Sequence, residues 1–399
     1  MLAPRPQSVE RRRGSARASS PPRLGITLIT PGFSEDETDA CIPALRTLVG
    51  ALAQRAEVRV LTLHYPYRAG RYALAGAEVR ALGGANAQRL SRAVLLTRAI
   101  AAVILEQRRN PVNVLHGVWA DEAGLVAVTA GRLLSLPAVV SLAGGELIAL
   151  RDIGYGGASS RLRRGLLHHV LRRADRVTVG SASLERLAAS HVPADRLLRL
   201  PLAVDTNLFA PGRAPTQSPF GAGPIRLLAV GSLTPVKDHA TLLRAFAIVA
   251  AHVPRVHLDV VGDGPLLGAL RAQAGAVTGA SVTFHGAVRH EELPPYYRAA
   301  DLVVVSSRFE SQSMVAVEAA ACGRPIAGTA VGVLPELPGA VTVPAGDAVA
   351  LAEAVVDAIS DPEELDRRGR ANLEAGGREY ALQHVADRFC ALYDEVASV

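Results

Sequence analysis

Lysine is almost absent from this chain. Of its 43 basic residues one is a lysine, Lys237, and the others are arginine. Where arginine is the default cation, one retained ammonium points to a position that needs a compact charge rather than a planar guanidinium. Cysteine is scarce too. Cys41, Cys322 and Cys390 are too few and too scattered for a disulfide framework or a zinc site, and free thiols are the simple reading. Aromatic residues make up 4% of a chain that is 49% hydrophobic, with a single tryptophan, Trp119, which suits the Ala/Leu/Val-rich interior of an α/β protein. No apolar run reaches the ~18 residues of a membrane-spanning helix. The longest, 93–105, is broken by Arg98 and reads as a core helix. Residues 1–23 are rich in Arg, Ser and Pro and lack the apolar stretch of a secretion signal, so a disordered basic tail on a cytoplasmic protein is expected.

What is present is a regular alternation. Strand-like runs at 24–29, 58–63, 112–115, 138–142 and 176–179 alternate with helix-like runs at 42–54, 91–107, 121–134 and 160–174. The pattern restarts with strands at 225–230, 256–260, 282–285, 302–306 and 325–329, and helices at 238–252, 265–274 and 313–322. Alternation of this kind predicts parallel sheets covered on both faces. Between the halves, 210–224 holds four prolines and three glycines, the composition of a boundary loop. The expected division is therefore a tail at 1–23, one doubly wound domain at 24–205, a second at 206–378, and a closing helix at 379–399. Ligands are expected in the cleft, at the C-terminal ends of the strands.

Charge follows the same division. Residues 1–205 carry 28 arginines against 16 acidic residues, whereas 206–399 carry 15 basic against 21 acidic. A basic first half suits an acidic acceptor or an anionic surface. Its densest part, Arg161–Arg173, reads as a helix with Leu162, Leu166 and Val170 on its apolar side, suited either to a membrane interface or to plain solvation. No aromatic interleaving accompanies these arginines, so nucleic acid is not expected.

Lys237 follows the strand at 225–230 in Gly231-Ser232-Leu233-Thr234-Pro235-Val236-Lys237. A glycine turn leaving a strand with a cation close behind is a place to hold a phosphate, although a surface lysine in a loop reads the same way. The second motif is Glu310-Ser311-Gln312-Ser313-Met314-Val315-Ala316-Val317-Glu318, between a buried-strand pattern and a helix that stops at Gly323 and Pro325. Ser311 or Ser313 is the expected N-cap. Free amides of the first helical turn then lie between the two carboxylates. That arrangement suits a ligand with an anion in its middle and hydroxyls at both ends, since charged acceptors bind hydroxyls strongly. Two solvated glutamates are the plainer alternative. Gly262-Asp263-Gly264-Pro265 reads either as a phosphate loop or as an ordinary strand-to-helix turn.

From 225 to 336 the order of features resembles the donor domain of the retaining glycosyltransferases of family four, which have the GT-B fold. The matching pieces are Val230-Gly231-Ser232-Leu233 with Lys237, Val261-Gly262-Asp263-Gly264-Pro265, Phe284-His285-Gly286, Tyr296-Tyr297-Arg298-Ala299-Ala300-Asp301, Glu310 to Glu318 with Ala319-Ala320-Ala321-Cys322-Gly323-Arg324-Pro325, and Val331-Gly332 before Pro335-Glu336. The first half is similar through Thr30-Pro31-Gly32-Phe33 and His116-Gly117-Val118-Trp119. Three features depart from the family: Ser232 stands where it carries an arginine, Ala143 where it carries a histidine beside the transferring sugar, and the usual paired glycines after the first strand are absent, Gly32 being followed by the acidic run Glu35-Asp36-Glu37-Thr38-Asp39.

The resemblance implies two Rossmann-like domains facing across a cleft, with the last helix crossing back onto the first domain. It implies transfer of a hexose from a nucleotide-diphosphate sugar of UDP or GDP type to a glycan, lipid-linked or small-molecule acceptor, with retention of configuration. No metal or other cofactor is expected. By resemblance, Lys237 neutralises the diphosphate, Glu310 holds the sugar and Glu318 the ribose. Gly32, Gly231, Ser232, Gly262, His285, Ser311, Ser313 and Met314 complete the expected donor site. His116 and Trp119 are expected to face the acceptor side of the cleft. Glu146, after Gly144-Gly145, is the candidate carboxylate compensating for Ala143. Two alternatives stay open on sequence alone: an epimerase or hydrolase of sugar nucleotides on the same architecture, and a catalytically degenerate sugar-nucleotide-binding subunit.

Overall fold

A computed structural model describes residues 24–39, 41–84, 89–212 and 225–398. The expected tail, and residues 213–224 of the expected boundary loop, lie outside them. The first sheet contains β1 (Gly25–Gly32), β2 (Glu57–Tyr65), β3 (Ala69–Leu74), β4 (Ala77–Leu82), β5 (Val114–Val118), β6 (Ala138–Leu142), β7 (Arg176–Val179) and β8 (Leu197–Arg199), in the order β3-β4-β2-β1-β5-β6-β7-β8. All of its pairings are parallel except β3–β4. The second sheet is wholly parallel: β9 (Ile225–Val230), β10 (Val256–Val261), β11 (Ser281–Gly286), β12 (Leu302–Val305), β13 (Ile326–Thr329) and β14 (Ala340–Val343), in the order β11-β10-β9-β12-β13-β14. Every residue of β5, β6 and β12 is buried, which is why these strands read as continuous apolar runs: helices cover both faces.

The β3–β4 hairpin is an addition that the alternating pattern did not predict. Its strands are short, and β3 is largely exposed. Its turn is made by Ala75 and Gly76, both at positive φ (51° and 73°), the geometry of a tight hairpin turn.

The expected closing helix is observed as Leu382–Ala397, and a helix Pro362–Glu379 that the sequence reading did not place precedes it. The chain breaks at Tyr380–Ala381 because it pairs there with Val204: Val204 N–H donates to Tyr380 O (2.9 Å) and Leu382 N–H to Val204 O (3.0 Å). The second helix then crosses to the first domain. Its Val385, Phe389, Leu392 and Val396 share a core with Leu45, Leu48 and Leu52 of helix Pro43–Ala53.

The C-terminal ends of β6 and β7 meet those of β12 and β13. Ser181 Oγ donates to Ser311 O (2.7 Å), Ser311 Oγ to Ala143 O (2.8 Å), and Ala182 N–H to Glu336 Oε1 (2.8 Å). The two strand-end faces therefore lie opposite one another.

Candidate functional site

β9 runs into Gly231 at φ 149°, and β10 ends against Gly262 at φ 145°. A Cβ on Gly262 would lie 1.9 Å from Gly231 O, so glycine alone lets the two turns close. The N–H of Gly231 donates to Val261 O (2.9 Å) and that of Gly262 to Gly286 O (2.8 Å). Both amides are thus engaged within the protein, so what these glycines give the expected donor site is the shape of its turns. Ser232 is exposed, its hydroxyl 3.4 Å from that of Thr234.

One 3-10 turn, Pro235–Lys237, then delivers the lysine. Its carbonyl is held by Ser306 Oγ (2.9 Å), and Val236 O accepts the N–H of Arg308 (2.8 Å). These contacts lock the lysine loop to the segment after β12. Lys237 Nζ lies 2.6 Å from Glu310 Oε1, which also accepts from Ser307 Oγ at 2.7 Å. Glu310 Oε2 has no hydrogen-bond partner among the described residues. Residues 73 positions apart thus form a half-buried ion pair at the cleft.

Ser313 occupies the position before helix Met314–Ala321 with φ 77° and makes no side-chain cap. Its hydroxyl is buried without a partner. Ser311 does not cap either, because its hydroxyl crosses to Ala143 O (2.8 Å). The expected side-chain cap is therefore absent. The first-turn amides of Met314, Val315 and Ala316 have no acceptor within the helix, so this end is a concentration of donors with a buried hydroxyl beside it.

Glu318 is not drawn into the pair. It is 4% exposed; His290 Nε2 donates to one oxygen (2.8 Å) and the Tyr297 hydroxyl to the other (2.7 Å). His285 lies at the edge of the second sheet, its Nε2 2.7 Å from Asp259 Oδ1 and its ring 5.2 Å from that of Tyr296.

On the first domain three expectations change. His116 lies inside β5, 1% exposed, with Nδ1 2.7 Å from the Tyr393 hydroxyl and Nε2 2.8 Å from Ser141 Oγ. It is a core residue and does not face the cleft, and burial pushes its pKa down to about 3. Gly32 is buried: a Cβ there would sit 3.2 Å from both Cys41 Sγ and Tyr65 Cβ, so it packs under the acidic loop instead of offering an amide to the cleft. That loop, 35–39, folds on itself, with Asp36 and Asp39 accepting the backbone N–H groups of Glu35, Thr38, Asp39 and Cys41.

Glu146 is the third change. Its oxygens accept from the N–H groups of Gly144 (2.8 Å), Ala143 (3.2 Å) and Ala120 (3.3 Å). Burial nevertheless pushes its carboxyl up to about 7, against the pull of those amides. It clamps the loop after β6 and is not a free acceptor-side carboxylate. Trp119, at φ 78° after β5, is half-buried with its indole N–H over Gly144, where a Cβ would lie 2.9 Å from Nε1.

Sequence reasoning missed Ser307, His290, Tyr297 and Gln312. Gln312 joins the domains, donating to Leu202 O and accepting from Leu202 N–H, both at 2.7 Å. The histidine before Glu291-Glu292 was a polar cluster that could have been singled out; Gln312 carried no signal beyond lying between the glutamates.

Two family models match the chain: one described as Glycosyl transferase 4-like domain over residues 41–203, the other as Glycosyl transferases group 1 over residues 224–361. The chain is 31% identical over 290 residues to the GDP-mannose-dependent alpha-(1-6)-phosphatidylinositol monomannoside mannosyltransferase of Mycolicibacterium smegmatis, covering 68% of this chain and 72% of that protein. It is 30% identical over 295 residues to the 2-deoxystreptamine N-acetyl-D-glucosaminyltransferase of Streptomyces fradiae, covering 66% and 68%. In fold it is similar to sucrose-phosphate synthase from Thermosynechococcus elongatus, with a TM-score of 0.80 at 23% identity, covering 94% of this chain and 100% of that one. Two parallel-sheet domains, the returning helix and these similarities together assign the chain to the group 1 glycosyltransferases of GT-B fold, enzymes that use nucleotide sugars.

Proposed function

We propose that this enzyme transfers a hexose from a nucleotide-diphosphate sugar with retention of configuration and without a metal ion. The observation that carries the reading is the contact of Lys237 Nζ with Glu310 Oε1, 2.6 Å long, beside the donor-rich start of helix Met314–Ala321. The ammonium and the helix end neutralise the diphosphate as the bond from the sugar's anomeric carbon to phosphate oxygen breaks. Glu310 Oε2 accepts from a sugar hydroxyl. The acceptor hydroxyl attacks from the face the diphosphate leaves, and its proton passes to the departing phosphate oxygen. Glu318, with His290, holds the ribose.

The two relatives are named for different sugars and acceptors, and one of them for GDP-mannose, so GDP-mannose and a UDP sugar are the first pair to test. The acceptor is a glycan, a lipid-linked sugar or a small polyol, met in the cytoplasm. The first turn of helix Arg161–Arg173 exposes Leu162 beside Arg161, Arg163 and Arg164, while Leu167, Val170 and Leu171 are buried. The exposed turn suits an anionic membrane surface, although Leu162 is not on the packed side expected of it. No helix among the described residues is long and apolar enough to cross a membrane.

The test is mass spectrometry of bound ligand across a panel of nucleotide sugars, followed by nucleotide release with and without acceptor. Acceptor-dependent release, an unchanged anomeric configuration in the product and activity in excess chelator are expected. Binding of no nucleotide sugar would sink the reading, and equal release without acceptor would make the protein a hydrolase or epimerase.

A further inference from the structure

The loop after β6 has no polar side chain at Ala143, and Glu146 is committed to three backbone amides. The same loop carries a second polar group, Tyr155, ten residues past Gly145. It is built to hold that ring in one place. Leu150 and Tyr155 exchange N–H···O bonds of 2.8 and 3.0 Å, and Gly145 O accepts the N–H groups of Ile148 (3.2 Å) and Gly157 (2.8 Å). Gly154 and Gly156, on either side, take φ of 65° and 112°, backbone that an L side chain rarely adopts. The ring lies on Gly145: a Cβ there would be 2.6 Å from Tyr155 Cε1 and 3.1 Å from its hydroxyl oxygen.

Across the cleft this loop is fastened on both sides of the sugar-holding carboxylate. The Tyr155 ring is 6.4 Å from that of Phe309, the residue before Glu310. Asp152 pairs with Arg308 at 2.5 Å, and Ala143 O takes the Ser311 hydroxyl. The Tyr155 hydroxyl itself has no hydrogen-bond partner among the described residues. Burial, and the charges of Glu310 and Glu146, raise its pKa, so it keeps its proton and is a donor.

We propose that the Tyr155 hydroxyl donates a hydrogen bond to the transferring hexose beside Glu310, supplying the polar contact that Ala143 cannot. The inference rests on the nucleotide-sugar reading above. A carboxylate that accepts and a phenol that donates, brought together across the cleft, suit a sugar hydroxyl, which does both. Nothing in this arrangement reaches for the nucleotide, which separates the sugar contribution from the rest of the donor.

The experiment compares Tyr155→Phe and Tyr155→Ala with the wild-type enzyme, measuring Kd for GDP-mannose and for GDP alone, and for UDP-glucose and UDP alone. Tyr155→Phe is expected to weaken the accepted nucleotide sugar about 10-fold or more, as removal of a specific hydrogen bond in a site built for it does, while leaving the free nucleotide unchanged. A loss shared equally by sugar nucleotide and free nucleotide indicates a folding role and overturns the proposal. So does a Tyr155→Phe enzyme that matches wild type, including when Tyr155→Ala is impaired through lost packing. If the wild-type enzyme binds each nucleotide sugar no better than its nucleotide, the inference falls; if it binds none of the four, the nucleotide-sugar reading falls first.

Discussion

At the scale of single residues, the unusual composition pointed to the Lys237–Glu310 ion pair better than any charge count. Lys237 was legible because it was the only one of its kind, and Glu310 because it stood in a strand–loop–helix context. Lys237→Ala leaves Glu310 with Ser307 as its remaining partner and, on the proposed reading, removes the cation that faces the diphosphate. Turnover is expected to fall about 10²-fold or more, as for removal of one fixed donor from an anion hole. Melting temperature should change little, the pair being only half-buried. Near-normal transfer by this variant counts against the assignment. His116 was misread for a plain reason. Strand periodicity gives the face a residue occupies but not what lies on that face, and the covering helix comes from the far end of the chain through Phe389 and Tyr393. The burial of this ring has a pH signature. Its folded-state pKa, about 3, lies below the ordinary 6.5, so the neutral ring's stabilising contribution is complete above about 6.5 and is lost as pH falls through that interval. His239, lowered to about 4 by burial and by Lys237, acts in the same direction. Stability should decline by up to about 1.4 kcal/mol per pH unit for each such group below 6.5. A His116→Gln enzyme whose unfolding midpoint falls as steeply between pH 6.5 and 4 as wild type would contradict this.

At the scale of elements, the strands and helices flanking the site were readable, because each is either a buried apolar run or an amphipathic helix. What escaped was set by backbone contacts that leave no periodic trace. The break at Tyr380 exists because Val204 pairs with that segment, and the first strand of the hairpin at 69–82 is mostly solvent-facing. The glycine turns were visible as glycines, yet their purpose was not. Sequence suggested amides offered to a phosphate, whereas the structure uses both amides internally and needs the missing Cβ. Gly262→Ala is therefore expected to cost about 1–3 kcal/mol, from a left-handed backbone without glycine and a collision with Gly231 O. It should also weaken donor binding by moving the turn that carries Lys237. Chemical denaturation and a donor titration read the two effects separately, and a variant as stable as wild type would show that the turns have room to separate.

At the scale of the whole molecule, the two domains are joined by more than the chain crossings at Val204 and Tyr380. Arg46, which holds the acidic loop through the carbonyls of Glu37 and Asp39, pairs with Glu291 of the second domain. Glu291 follows His290, the residue that holds Glu318. Arg199 reaches Glu336 at 2.7 Å on another side of the crevice. The bridge to Glu291 is partly exposed, so its net effect on stability is small, under about 1 kcal/mol. Its effect on closure is the one to measure. Arg46→Ala is expected to raise the KM for the donor several-fold and to enlarge the radius of gyration in solution scattering, with the melting temperature nearly unchanged. If neither KM nor scattering responds, the bridge does not govern closure. Such cross-domain pairs were beyond the reach of sequence reading, since 245 positions separate Arg46 from Glu291 and neither stands in a motif.

The solitary lysine has a practical side. Apart from the chain's own α-amino group, Nζ of residue 237 is the single primary amine in the protein. Amine-directed reagents, which scatter over the surface of most enzymes, have one side-chain target here, and it sits in the crevice between the lobes. A small isotopic tag introduced there by reductive methylation would keep the positive charge and report from beside Glu310, with the α-amino group giving the one other signal.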